Sequence, residues 1–179
     1  TSDSSSQISL APSATPAISP LDLFAGVSYT PLGSAEVEVT TLASGLAAPT
    51  RLQLTPDGNF LLVTQLTGEV LAFRRLPAGG WEETPSLVTR VETGLPGFPP
   101  EEAGLTGMVF SRDFDDNGKL FLLHSHKDAE GKLWNRVSVS TLLTRDDQLV
   151  GSEPTVVFQA NVAGGPSHQI TDGVAVEVL

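Results

Sequence analysis

The sequence predicts an all-β protein: the opening blades of a β-propeller, each blade a four-stranded antiparallel sheet, with the ring incomplete in this chain. Three observations carry that prediction. Short runs rich in Val, Leu, Phe and Thr alternate with Gly-bearing turns, and no amphipathic stretch of ten or more residues argues for a helix. The strand-and-turn pattern also recurs, with Gly118 standing 60 residues after Gly58. Four strands in sequence order per repeat is the pattern of a propeller blade. Hairpins of a β-sandwich that happen to fall in step are the competing reading.

Taken in order, residues 1–35 read as a tether and lead-in. Its first twenty, TSDSSSQISLAPSATPAISP, are Ser, Thr, Ala and Pro with little apolar periodicity, and cannot bury enough surface to offset the entropy of ordering. Residues 36–179 read as the partial propeller. The first repeat alternates over 36–42, 50–54, 60–66 and 69–76, broken at Ser44-Gly45, Pro56-Asp57-Gly58, Thr67-Gly68 and Ala78-Gly79-Gly80. The second runs over 105–110, 119–124, 137–143 and 155–159, with turns at Asp116-Asn117-Gly118 and Glu130-Gly131. Residues 173–179, GVAVEVL, alternate like the first strand of a third. Two blades and one strand leave apolar faces open, so the expectation is the N-terminal part of a larger ring.

Composition excludes several functions. The chain has 179 residues, 10 Lys+Arg against 21 Asp+Glu, and a net charge of −11. That surface repels nucleic acid and anionic membrane. Apolar runs such as Phe60–Val63 and Leu120–Leu123 fall far short of the ~20 residues that span a bilayer. With no cysteine, disulfides, thiolate metal sites and a cysteine nucleophile are all ruled out. The chain opens on Thr1 rather than Met, which reads as a processed or engineered start. A low-charge Ser/Thr/Pro leader of this kind suits an exported protein, extracellular or periplasmic, held by a lipid anchor or free. A frayed terminus is the plainer reading.

Few side chains suggest chemistry. His124 and His126 form His-Ser-His near a strand end, on one face of the strand, but the sequence places no third ligand beside them, so they read as a solvated strand end. His168, in Gly164-Gly165-Pro166-Ser167-His168-Gln169, lies in a loop leading into a first strand. Such loops line the axial pocket of a propeller, where an imidazole can act as general base. Asp113 to Gly118 matches the start of a calcium loop, yet the closing acidic position falls on His124, so it reads as a turn. Glu101 and Glu102 enter the second repeat where the Pro-Ser-His loop enters the third.

Three segments in order resemble the soluble quinoprotein (pyrroloquinoline-quinone-dependent) glucose dehydrogenases and the related aldose sugar (glucose/sorbosone) dehydrogenases. SGLAAPTRLQLTPDGNFLLVTQLTGEVLAF is similar to that family's first blade. EAGLTGMVFSRDFDDNGKLFLLHS resembles its Gly-Leu-Leu-Gly and His-Pro-Asp-Phe-x-x-Asn-Gly signature. GPSHQITDGVAVEVL is similar to its catalytic segment. The resemblance implies a six-bladed ring of about 360 residues at the same spacing. It implies pyrroloquinoline quinone above the channel, and His168 as the base that takes a sugar's hydroxyl proton. Glu102 stands where the family has a quinone-touching Gln, and Gln169 follows the catalytic position. Calcium and the cations that clamp the quinone come from later blades, so the rest of the ring or a second chain is an expected partner, beside the sugar. Departures stand at Glu102, at Leu105-Thr106 for Leu-Leu, at Gln65 for Glu, and after His168, where Gln-Ile-Thr-Asp-Gly replaces a run containing Arg. They leave a second expectation: a catalytically inactive propeller that binds a carbohydrate or a protein.

Overall fold

The computed structural model describes residues 41–95 and 103–162. The chain divides into two compact units, Thr1–Val39 and Thr40–Leu179, and every described residue belongs to the second.

The first sheet runs in chain order. β1 (Pro49–Leu54), β2 (Phe60–Gln65), β3 (Glu69–Arg74) and β4 (Ser86–Arg90) pair antiparallel, each with the next. The turn between β1 and β2 is set by its own side chains. Asp57 accepts from the Asn59 amide (3.0 Å) and the Thr55 hydroxyl (2.6 Å), while Gly58 takes φ 70°. Thr67-Gly68 joins β2 to β3, and the Gly68 amide donates to the Gln65 carbonyl (2.9 Å). The fourth described member is β4, a five-residue SLVTR that follows Pro85 and is too short to read from sequence; of the expected strand over 36–42, residues 41 and 42 are not in a strand and 36–40 lie outside the described residues.

The second sheet repeats the plan. β5 (Leu105–Phe110) pairs with β6 (Lys119–Lys127), and β6 with the 13-residue β7 (Leu133–Arg145). Between β5 and β6 the expected turn is a single helical turn, α1 (Phe114–Asn117), closed by Gly118 at φ 62°. A side chain at Gly118 would also strike the Leu142 carbonyl, with a Cβ 2.4 Å from its oxygen. β8 (Gln148–Gly151) and β9 (Thr155–Asn161) then take the same edge of β7 in succession, β8 along Leu142–Arg145 and β9 along Trp134–Val139. They make one outer strand interrupted at Ser152, whose carbonyl accepts from the Ser140 hydroxyl (2.7 Å). The 173–179 strand lies outside the described residues.

The two sheets share a core. Phe60, Leu62, Val70, Ala72, Val88 and Val91 of the first pack against Leu105, Met108, Phe110, Leu120, Leu122, Leu142 and Leu149 of the second. Polar ties cross the same seam. The Thr50 hydroxyl donates to the Leu105 carbonyl (2.8 Å), which leaves it to accept from Thr64 (2.8 Å), and Thr89 donates to the Ser152 carbonyl (3.1 Å). On the other face of the first sheet, Leu61, Val63 and Phe73 are covered by Leu42, Ala43, Leu46 and Trp81. β2 is buried along its whole length because both faces are covered.

Candidate functional site

One end of both sheets gathers the polar side chains. Here β2, β4, β6 and β9 finish and β1, β3, β5 and β7 begin, so the chain enters the second sheet and leaves it at this end. The entry is rigid. Ala103 is fully buried, and the Gly104 carbonyl accepts from the Ser125 amide (2.8 Å). The Leu105 amide donates to the Leu66 carbonyl (3.0 Å). Gly104 has φ 134°, and a Cβ there would lie 2.1 Å from the Leu66 oxygen. Glycine is therefore required on two counts, backbone conformation and space. Thr106, half-buried, donates its hydroxyl to the Leu123 carbonyl (3.1 Å), which satisfies the polar group that distinguishes it from leucine.

Beside this entry lies an open groove of about 980 Å³, running from Ala47 and Gln65 to Arg90 and Leu95. The Gln65 side-chain oxygen accepts from the Ala47 amide (2.6 Å), a role a carboxylate would also fill. Glu69 accepts from both the Thr67 hydroxyl and the Arg90 guanidinium. Partial burial alone would raise its pKa, but those hydrogen bonds prevail and hold its carboxyl below the ordinary carboxylate range. Glu92 and Thr93 complete the polar wall. The sequence reading missed Glu69 and Arg90 as a pair because the strand that carries Arg90 was not foreseen.

The histidine pair is not a solvated strand end. β6 continues to Lys127, so His124 sits inside the strand and is 2 % exposed. Its even-numbered face packs toward the first sheet with Leu120 and Leu122. The His124 Nε2 bonds the Ser138 hydroxyl (2.9 Å), and its Nδ1 is buried without a hydrogen-bond partner. Loss of hydration pushes its pKa down to about 4, and Arg136 and His126 add to the effect. Arg136, directly across β7, likewise buries its Nε without a partner. His126 is more accessible and donates Nδ1–H to the Glu92 carbonyl (2.9 Å), since a carbonyl can only accept.

Asp113–Gly118 lies at the opposite end of the sheets. Among the described residues no group of three or more His, Asp and Glu side chains is placed to hold a metal. His168, Gln169 and Glu102 lie outside the described residues. Among the described groove residues the cation is Arg90, already paired with Glu69, so these residues do not fit a polyanionic quinone by themselves. No described helix is long and apolar enough to cross a membrane.

A family model described as Glucose / Sorbosone dehydrogenase matches residues 46–176, well over half of the chain. The chain belongs to the glucose/sorbosone dehydrogenase family. Its described residues are two blades of that family's β-propeller, and Gly104 is the first glycine of the family-like Gly104-Leu105-Thr106-Gly107 segment. Among solved structures it is similar to a Thermus thermophilus protein described as an oxidoreductase (glucose dehydrogenase). That match has 24 % identity and a TM-score of 0.50, and covers 70 % of this chain and 32 % of that one. It is also similar to the soluble aldose sugar dehydrogenase of Escherichia coli, with 24 % identity and a TM-score of 0.45, covering 64 % of this chain and 30 % of that one. The chain thus spans about a third of the length of these family structures. No curated protein matches it.

Proposed function

We propose that this chain is the N-terminal portion of an exported quinoprotein sugar dehydrogenase that oxidises an aldose. The observation that carries the reading is the extent of the family match: residues 46–176 include both the Glu102–Gly107 segment and the His168 loop. In this reading His168 is the general base. A carbinol gives up hydride more readily as its oxygen loses a proton, and a neutral imidazole can accept that proton. Pyrroloquinoline quinone, when bound, supplies the two-electron acceptor. Glu102 and Gln169 border it, while calcium and the cationic clamp belong to later blades of a six-bladed ring. Residues 1–35 serve as the tether outside the cytoplasm, and residues 36–179 as the partial propeller. The rigid entry at Gly104 supports the reading, because it fixes the backbone two residues from Glu102.

The test is titration of the full-length protein, later blades included, with pyrroloquinoline quinone and calcium, then dye reduction with a panel of aldoses. His168→Ala is expected to lower turnover by several orders of magnitude and leave quinone retention after desalting unchanged. No dye reduction and no retained quinone absorbance would reject this function. A second reading, an inactive propeller that binds carbohydrate or protein, is favoured by the acidic Glu102 where the family has Gln. It predicts aldose or partner binding that needs no quinone.

A further inference from the structure

The connection from β4 to β5 leaves from, and returns to, one short stretch of β6. The Lys127 amide donates to the Thr93 carbonyl (2.7 Å), and the Ser125 amide to the Gly104 carbonyl (2.8 Å). Amides two residues apart in a strand face the same edge, so Thr93 and Gly104 stand side by side along β6. A glycine marks each foot. Gly94 has φ 62°, and a Cβ on it would lie 1.9 Å from the Lys127 oxygen, just as Gly104 crowds the Leu66 oxygen. Two such close backbone approaches leave no room for a side chain at either foot. The feet form a neck, and residues 95–102 join one foot to the other in sequence. A side chain fastens this neck. His126, between Ser125 and Lys127, donates Nδ1–H to the Glu92 carbonyl (2.9 Å), beside the buried Thr93. The strand itself does not need that bond, because β6 is paired with β7 as far as Lys127.

We propose that His126 is a positioning residue: its imidazole holds the neck closed and so sets Glu102, beside the far foot, against the quinone. The inference rests on the function proposed above, in which Glu102 borders pyrroloquinoline quinone. Glu102 is two residues from Gly104, and Gly104 is bonded to the residue next to His126. A near foot that drifts along β6 changes the span that residues 95–102 must bridge, and moves Glu92 and Thr93, which wall the groove. The role asks of His126 a single N–H at the δ position, and a neutral or a protonated ring supplies it.

Four proteins test this, each full-length with later blades included: wild type, His126→Asn, His126→Gln and His126→Leu. Asparagine places an amide N–H where the imidazole has Nδ1, whereas glutamine reaches toward the Nε2 position. Hydrogen exchange of the Lys127 amide in the quinone-free proteins reports on the neck. It is expected to quicken about threefold in the Leu and Gln variants, the loss of one exposed hydrogen bond, and to keep its wild-type rate in the Asn variant. Exchange at Leu122, mid-strand in β6, is expected to be the same in all four. Titration with pyrroloquinoline quinone is expected to show affinity lowered about threefold in the Leu and Gln variants and restored in the Asn variant. Equal Lys127 exchange in all four proteins would overturn the proposal, as would a loss that Gln restores and Asn does not. A loosened neck with unaltered quinone affinity would overturn the link to Glu102. A wild type that retains no quinone would reject the proposed function and the role of Glu102 with it, and the exchange pattern separates that failure from failure of the neck.

Discussion

His124 is tolerated at its position only when neutral. Burial strips water from the imidazolium, and Arg136 and His126 add positive charge nearby, so its pKa falls from 6.5 to about 4. Above pH 6.5 the ring is neutral in both folded and unfolded chains. As pH falls from 6.5 toward 4, the unfolded chain binds a proton that the folded chain refuses. Stability is therefore lost across that window, roughly 3 kcal/mol in all. In urea unfolding at pH about 7 and about 4.5, the wild type is expected to lose roughly 2–3 kcal/mol more than His124→Gln. Equal losses would contradict the assignment. Nothing in His-Ser-His foretold this, because both histidines share one face of β6. What separates them is burial: His124 is 2 % exposed and bonded to Ser138 of β7, whereas His126, near the end of β6, is more accessible.

Elements were legible where apolar runs were long. β2, β3, β5 and β6 start at the expected places, because each is a run rich in Val, Leu and Phe bounded by Gly-bearing turns. The outer strands were not so clear. β4 is too short, and β8 depends on a turn of unusual residues, Asp146 and Asp147, both left-handed at φ 48° and 61°. A two-residue hairpin of this type favours Asn-Gly, which reads from sequence, and Asp-Asp does not. Asp147 bears about 1 kcal/mol of backbone cost there. Its ion pair with Arg74 (3.2 Å) is 84 % exposed on the Asp147 side, so water screens it and it recovers little of that cost. Backbone relief is the larger effect, so Asp147→Gly is expected to raise the thermal midpoint by about 2 °C. A lowered midpoint would show that the ion pair matters more.

At the scale of the whole described region, the blades are not independent. Leu62 of the first sheet and Leu122 of the second are both fully buried in one cluster that crosses the seam. Either residue changed to alanine is expected to cost about 3 kcal/mol, the usual range for a buried leucine. Both variants should shift the same single unfolding transition, followed by fluorescence and by circular dichroism. A variant that melts one blade ahead of the other would contradict the shared core. The physical cause is that each sheet has an apolar face, and neither face can stay in water once the two blades stand side by side.

The all-β class, the two-blade repeat and the resemblance of three segments that the family match over residues 46–176 bears out were all readable in the chain, because short apolar runs between Gly-bearing turns are local properties. The turn at Asp57 is closed by its own side chains, whereas Gly118 is demanded by its left-handed φ of 62° together with the Leu142 carbonyl of another strand. Burial of His124, the pairing of Glu69 with Arg90 and the split outer strand of the second blade join residues from different strands, and no local pattern encodes them.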